Sequence, residues 1–501
     1  MKKKLIKTLT PILILSIIFS VYLIKKNLEI NKKENFNKFV EGINLSRNEL
    51  FKDAPSIKDE YLNWNLGDEY EFTPEETKEF VEYQKLFFDK NLILNPNIIY
   101  NEKKIITYDE AKEDVDSLFK FLRYGYGAYG YFGGDIVFNE AKKNIMDVLN
   151  GQQSIKADDF SNLLLNNLNF IKDGHFALAS KNPFFNKLKV YYIYDKDEFF
   201  KDGNGYYRLV DKRHYYIKEI NKDSNIDKYM KYTINNDGKL VYSIAILQEE
   251  VSSTINTDVV YLNDKESFSE SLVLNILPFD FQKENIPFEY SIKDNVPIAK
   301  LGAMHASSEE DDSQFDFPGT GFKMKNYPIS ILDLRGNKGG FLTAGTTWIQ
   351  SYSGEYTTNR GAYATISNNM IREFNKYNGS NYSGGSNSLK PTLLSRIPND
   401  KLVFVLIDKA IFSAGEHFIE CLMNMDNVIL VGTNTCGGTL SGGTYYYRLK
   451  NSMITTQIGN YLYISPCGDD FEFNGFHPDV LVDSNEALEK VQKLIKYYNL
   501  N

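Results

Sequence analysis

The chain has 501 residues, 42% hydrophobic and 25% charged, an ordinary globular balance with enough apolar mass for a sizeable core. That length exceeds one compact core and predicts two or three folded units. The net charge of -9 excludes a generic nucleic-acid binder, which needs basic stripes against phosphate, and three cysteines are too few for a disulfide framework.

In chain order, Lys2, Lys3, Lys4 and Lys7 precede a mostly apolar run from Thr8 to Ile24, followed by Lys25 and Lys26. The positive start predicts a cytoplasmic N-terminus and an exported remainder. The run is near the short end of the roughly 17–25 residues that cross a bilayer. No small-x-small cleavage site follows it. Residues 1–28 therefore read as an uncleaved signal-anchor in preference to a cleaved signal peptide. The membrane is then a partner and the body is extracytoplasmic, or secreted if the segment is cleaved.

Residues 29–105 read as a tether and N-terminal region, charged and irregular with scattered aromatics. Residues 106–185 read as a helical domain. Ala111, Val115, Leu118, Phe119 and Leu122 recur at three-to-four spacing, a second helix runs from about Val137 to Leu149, and a third spans Asp158 to Leu168. This part ends in IKDGHFALAS. Residues 186–285 read as a small β-rich domain, because VYYIYD, YYRLVD and YYIKEI are short, Tyr- and Ile-rich and separated by turns. The segment His305–Gly321 is an acidic loop.

Residues 286–501 read as an α/β core. PISILDL, LVFVLID and NVILVG are continuous apolar runs, as in strands buried on both faces. Helices are predicted near Leu342–Tyr352, after Ser413, and after Ser484 as N-cap. Alternating strands and helices predict a mostly parallel sheet covered by helices.

Ser413 falls between a buried strand and a helix start. There its Oγ is exposed at the sheet edge, and the first helical N–H groups face whatever it attacks. The same placement also suits a plain N-cap serine. Gly339 and Gly340 end the neighbouring strand, where glycine lets backbone approach a ligand and present N–H groups. The Gly339, Gly340 and Ala414 amides together fit an oxyanion hole.

ILDLRGNKGG, VLIDKAIFSAGEHF, VILVGTNTCGG and GFHPDVLVD, in this order, resemble the signature of the C-terminal-processing, or tail-specific, serine protease family. That family includes the tricorn protease core and the interphotoreceptor retinoid-binding modules. The resemblance covers about Pro287–Asp483 and, more weakly, the helical part ending at His175. It implies an α/β, crotonase-like (ClpP-like) protease core with Ser413 as nucleophile. The Ser/Lys branch places a lysine after the third strand, whereas here no lysine lies between Lys409 and Lys450. The tricorn-like branch uses a histidine from the helical part and a glutamate near the C-terminus. His175 and Glu472 stand where those motifs fall. The chain departs from the tail-specific pattern in one respect, since no glycine-rich carboxylate-binding loop is legible in Lys189–Val260.

A serine hydroxyl needs a base that is neutral near pH 7, which histidine supplies, and a carboxylate to hold its tautomer. Among five histidines, His175 is preferred and His477 is its rival. His417 lies on the Ser413 helix, His214 in the β-rich part and His305 before the acidic loop. Asp333 and Arg335 read as structural. No metal and no cofactor are expected, since His417 and Glu420 lack a third ligand at sensible spacing. The expectation is thus a membrane-anchored Ser-His-Glu peptidase acting on peptides or proteins. A non-catalytic binder on the same fold and a small-acyl esterase remain the alternatives.

Overall fold

The structure, a computed structural model, describes residues 29–62, 72–88, 105–263, 266–279, 288–304, 312–358, 361–377, 387–389, 395–466 and 471–500. The apolar run at Thr8–Ile24, His305 and Cys467 lie outside the described residues. Among the described residues no helix is long and apolar enough to cross a membrane.

Elements are numbered along the chain. The N-terminal region contains two helices, α1 over residues 29–50 and α2 over Pro74–Phe88. Phe36, Val40 and Ile43 of α1 are buried against the underside of the core sheet. Arg47 pairs there with Asp479 at 2.5 Å. The first helix of the helical part, α3 (Tyr108–Gly125), starts at a capping box formed by Thr107 and Glu110. Its predicted stripe of Ala111, Val115, Leu118, Phe119 and Leu122 is buried. Helices α4 (Gly134–Leu149) and α5 (Ala157–Asn167) complete this part, with the ribbon β1 (Ile105–Thr107) and β2 (Ser154–Lys156). The chain then passes Asp173 and His175 and enters the short strand β3 (Ala177–Leu178).

The β-rich part is one antiparallel eight-stranded sheet. Its strands are β4 (Lys189–Ile193), β5 (Phe200–Asp202), β6 (Gly205–Val210), β7 (Arg213–Ile220), β8 (Met230–Ile234), β9 (Leu240–Glu249), β10 (Thr254–Leu262) and β11 (Ser267–Ile276), in spatial order β5-β6-β7-β10-β11-β4-β9-β8. Tyr192, Ile244, Tyr261 and Leu274 form its own apolar cluster.

The core sheet has six strands in spatial order β12 (Phe288–Lys293), β13 (Val296–Leu301), β14 (Ile329–Asp333), β17 (Leu402–Ile407), β18 (Val428–Gly432) and β21 (Val480–Leu481). All neighbours are parallel except β12 and β13. Every residue of β14 and β18 is buried, as the continuous apolar runs require. Helices α6 (Ser313–Met324), α7 (Thr343–Ser353) and α9 (Ala414–Met423) cover one face, while α1 and α10 (Ala487–Tyr497) cover the other. The expected N-cap at Ser484 is corrected, because α10 has Glu486 at its cap with no side-chain bond. The Ser484 carbonyl instead accepts from the Ala487 amide at 3.3 Å and from the Arg335 guanidinium.

A second sheet is absent from the sequence reading. It comprises β15 (Ala362–Thr365), β16 (Asn387–Leu389), β19 (Ser441–Arg448) and β20 (Thr455–Ile464), ordered β16-β15-β20-β19, with helix α8 (Asn369–Tyr377) beside β15 in sequence. Ile458 and Leu462 of β20 share one apolar cluster with α3, α4 and α5. β3 pairs with β20, Leu178 opposite Thr456 and Ala177 opposite Gln457. That pairing joins the helical part to the core and carries His175 with it.

Candidate active site

β17 ends at Ile407, and the turn Asp408–Phe412 leads directly to Ser413 at the start of α9. Several bonds hold this turn. Asp408 Oδ1 accepts from the Gly336 and Ala410 amides at 2.9 and 3.1 Å, and the Phe412 amide donates to the Asn337 carbonyl at 3.0 Å. Ser413 itself has φ 54° and ψ -124°. A non-glycine residue there is strained by about 1–3 kcal/mol, which only an over-determined turn sustains. Its side chain makes no capping bond to α9. Ser413 is therefore not the plain N-cap that its position alone allows.

The glycine turn lies against this one because β14 and β17 are parallel neighbours, with Asp333 opposite Leu406. Gly339 and Gly340 have φ 90° and 130°, a region that disfavours any residue with a side chain. A Cβ on Gly339 would lie 2.8 Å from the Phe412 carbonyl and 2.9 Å from the Ala414 nitrogen. One of the three expected oxyanion donors needs correcting. The Gly339 amide donates to Asn337 Oδ1 at 2.9 Å, so it faces its own turn. The amides of Gly340 and Ala414 have no protein acceptor among the described residues.

His175 Nε2 is 2.9 Å from Ser413 Oγ, although the two are far apart in sequence. The imidazole stacks on Phe412, with ring centroids 4.7 Å apart. Gly174 and Gly438 leave room for that phenyl ring, since a Cβ on either would lie within 3 Å of it. Burial holds the imidazole below its ordinary value, and the nearby charge of Asp173 pulls the other way. A buried base that stays neutral is suited to accept a proton from serine.

Two buried carboxylates lie behind the histidine. No hydrogen bond or ion pair joins Glu472 to the ring. Its Oε1 accepts from the Gly174 amide at 3.1 Å, and its Oε2 accepts from the Thr439 and Leu440 amides at 3.0 Å each. Burial first, then the charge of Asp173, pushes its carboxyl well above the usual range. Asp173 is nearer the ring, with Oδ1 3.9 Å from His175 Nδ1.

Further groups that the sequence reading did not assign brace the site from below. Glu416, one turn into α9, accepts from the Gly437 and Gly438 amides at 2.7 and 2.8 Å and from the Thr435 hydroxyl. Lys409 donates to the carbonyls of Thr435, Cys436 and Phe473 at 2.8, 3.2 and 3.2 Å. Burial pulls its ammonium down to about 8. Three carbonyl bonds direct it to the loops and not to Ser413. The one available signal was its place in the same turn, four residues before Ser413.

The other described histidines make no hydrogen bond to Ser413. His477, the rival base, shares a hydrogen bond at 3.0 Å between its Nδ1 and the Tyr191 hydroxyl on β4, and burial pushes it down to about 4. His417 is buried beside Tyr463, at 4.6 Å between rings, and is pushed down to about 3 by burial and by His175. His214 stacks on Tyr207 in the β-rich sheet. Arg335 grips Asp333 through two bonds of 2.8 and 2.6 Å at the end of β14. Among the described residues no group of three or more His, Cys, Asp or Glu is placed to hold a metal ion.

A cleft of about 890 Å³ opens beside Phe412. The β-rich part lines it with Val251, Ser252, Ile276 and Phe279, and the core with Lys338 and Ala410.

Residues 301–482 match Peptidase family S41. Among solved structures, the chain is similar to mature CPAF complexed with lactacystin, at 14% identity and a TM-score of 0.41 over 79% of this chain and 99% of that one. It is similar to the photosystem II D1 C-terminal processing protease at 14% identity and a TM-score of 0.35, over 75% and 93%. It is also similar to the tricorn protease at 14% identity and a TM-score of 0.36, over 78% and 37%. Such low TM-scores leave the weight on the family match. The matched segment holds Ser413, Gly339, Gly340, Ala414 and Glu472. His175 lies outside it and reaches the site through the fold.

Proposed function

We infer, from a chain that carries a domain of peptidase family S41 and is a serine peptidase, that Ser413 attacks the scissile carbonyl with His175 as its base. The observation that carries this reading is the 2.9 Å contact between His175 Nε2 and Ser413 Oγ. His175 takes the hydroxyl proton as the tetrahedral intermediate forms, then returns it to the leaving amine. The Gly340 and Ala414 amides, which have no protein acceptor among the described residues, stabilise the oxyanion. Water then repeats the cycle on the acyl-enzyme. A buried carboxylate completes the set, and Glu472 is the one that the sequence resemblance implies. The cleft between the β-rich sheet and the core receives the peptide, and its apolar walls favour bulky apolar residues. A small-acyl ester would have little use for a groove of that size.

The test is fluorophosphonate labelling together with hydrolysis of a peptide carrying bulky apolar residues. Wild type is expected to label and to cleave, and Ser413→Ala to do neither. Equal labelling of both proteins would remove Ser413 as nucleophile. Labelling without peptide turnover would favour the esterase reading.

The proposal includes placement outside the cytoplasm, held by residues 1–28. The support is the lysine-flanked apolar run Thr8–Ile24. A topology reporter fused after Asn35 is expected to respond from outside, and a cytoplasmic signal would refute this part alone.

A further inference from the structure

The geometry points to Asp173, and not Glu472, as the residue that positions the His175 imidazole and balances its charge during catalysis. This rests on the reading of Ser413 and His175 given above. When Nε2 takes the serine proton, the ring becomes a cation, and its Nδ1–H needs an acceptor. Nδ1 is buried and has no hydrogen-bond partner among the described residues. Asp173 Oδ1 lies 3.9 Å away, on the same loop. Closing that gap to a charged hydrogen bond takes a shift of about 1 Å, a tightening common when a substrate or transition state binds.

Asp173 is built for the task. Its side chain is fully buried. Oδ2 accepts from the Tyr126 and Ser441 hydroxyls, both at 2.6 Å, and Oδ1 accepts from the His175 amide at 2.8 Å. These three donors come from the end of α3, from β19 and from the histidine's own backbone. They fix the carboxylate and leave one acceptor direction on Oδ1 unfilled, since an ionised carboxylate has about four. No lysine or arginine pairs with it among the described residues, so its charge is not cancelled before the imidazolium forms.

Glu472 fits a different task. Its three donors are the backbone amides of Gly174, Thr439 and Leu440, and no ion pair joins it to the ring. It ties the histidine loop to the glycine-rich stretch that enters β19.

The other groups around the ring do not compete. Phe412 covers one face. His417 approaches from α9 and is held neutral, being pushed down to about 3. Glu416, also on α9, has its oxygens on Thr435, Gly437 and Gly438. Lys409 is turned to backbone carbonyls.

The experiment measures kcat and KM of the full-length protein on one peptide from pH 5 to 8, for wild type, Asp173→Asn, Glu472→Gln, Tyr126→Phe and Ser413→Ala. The expected result for Asp173→Asn is a kcat at least 100-fold lower with KM little changed. Its acid limb should also move to lower pH, because an anion that favours the imidazolium has gone. Glu472→Gln should lower kcat while leaving the limb in place. Tyr126→Phe covers the case in which Asp173→Asn does not fold. With one donor fewer, the Asp173 charge acts more strongly on the ring, and the limb should move to higher pH. A merely structural role moves neither limb. The proposal is overturned if Asp173→Asn keeps wild-type kcat and limb, if Glu472→Gln shifts the limb instead, or, where Asp173→Asn does not fold, if the Tyr126→Phe limb stays fixed. Turnover by Ser413→Ala would instead sink the catalytic reading on which the proposal rests.

Discussion

Lys409 and Glu416 hold the same glycine-rich stretch from two sides, the ammonium on its carbonyls and the carboxylate on its amides. Burial works against both charges, lowering the lysine to about 8 and raising the glutamate. Each favours the charged form of the other, so removing one leaves a buried charge without compensation. Lys409→Met is therefore expected to destabilise the fold by about 3–5 kcal/mol. The double variant Lys409→Met/Glu416→Gln is expected to lose less than the two single losses added together. Denaturant unfolding of the three variants checks this, and strict additivity would show that the two groups act independently. Asp173 gives a second case at this scale. Its letter stands in IKDGH, yet its environment is made by Tyr126 and Ser441, distant residues that no local pattern links to it.

The strand–turn–helix that presents Ser413 is the element most legible in the sequence. LVFVLID is a continuous apolar run, as in a strand buried on both faces, and the stripe Phe418, Ile419, Leu422 and Met423 marks the helix that follows. The glycine turn after PISILDL was legible for the same reason. Its hydrogen-bond direction was not, because whether Gly339 faces a ligand or Asn337 depends on backbone angles. The second sheet escaped sequence reading for a physical reason. β19 carries two glycines and three tyrosines and β20 mixes Thr, Gln, Asn and Gly with its apolar residues, so neither gives a clean period. Packing on the helical part fixes where they sit. That sheet matters here because the β3–β20 pairing delivers His175.

Across the whole molecule, the cleft beside Phe412 is walled by the β-rich sheet on one side and the core on the other. Val251 is 70% exposed at its wall, and so can be changed without disturbing an apolar cluster. Val251→Glu is expected to raise KM for a peptide with bulky apolar residues by about tenfold, a change of about 1.4 kcal/mol, with kcat within about twofold. Cleavage of a small acyl ester should be unaffected. An unchanged KM for the peptide would take the cleft out of the substrate path. The β-rich part was legible as β from its short tyrosine-rich runs, but its order follows from pairings over long sequence distances.

The sequence by itself determined the buried parallel strands, the strand-to-helix turn that carries Ser413 and the stripes of the helical part, because apolar periodicity and glycine placement are local properties of the chain. Only the tertiary structure decided which histidine meets Ser413, since hydrogen-bond reach depends on how two distant parts dock. It also decided that Asp173, not Glu472, is the carboxylate nearest the ring. A one-dimensional pattern records which side chains are present. The distances between them, on which proton transfer depends, are fixed only when the helical part, the second sheet and the core pack together.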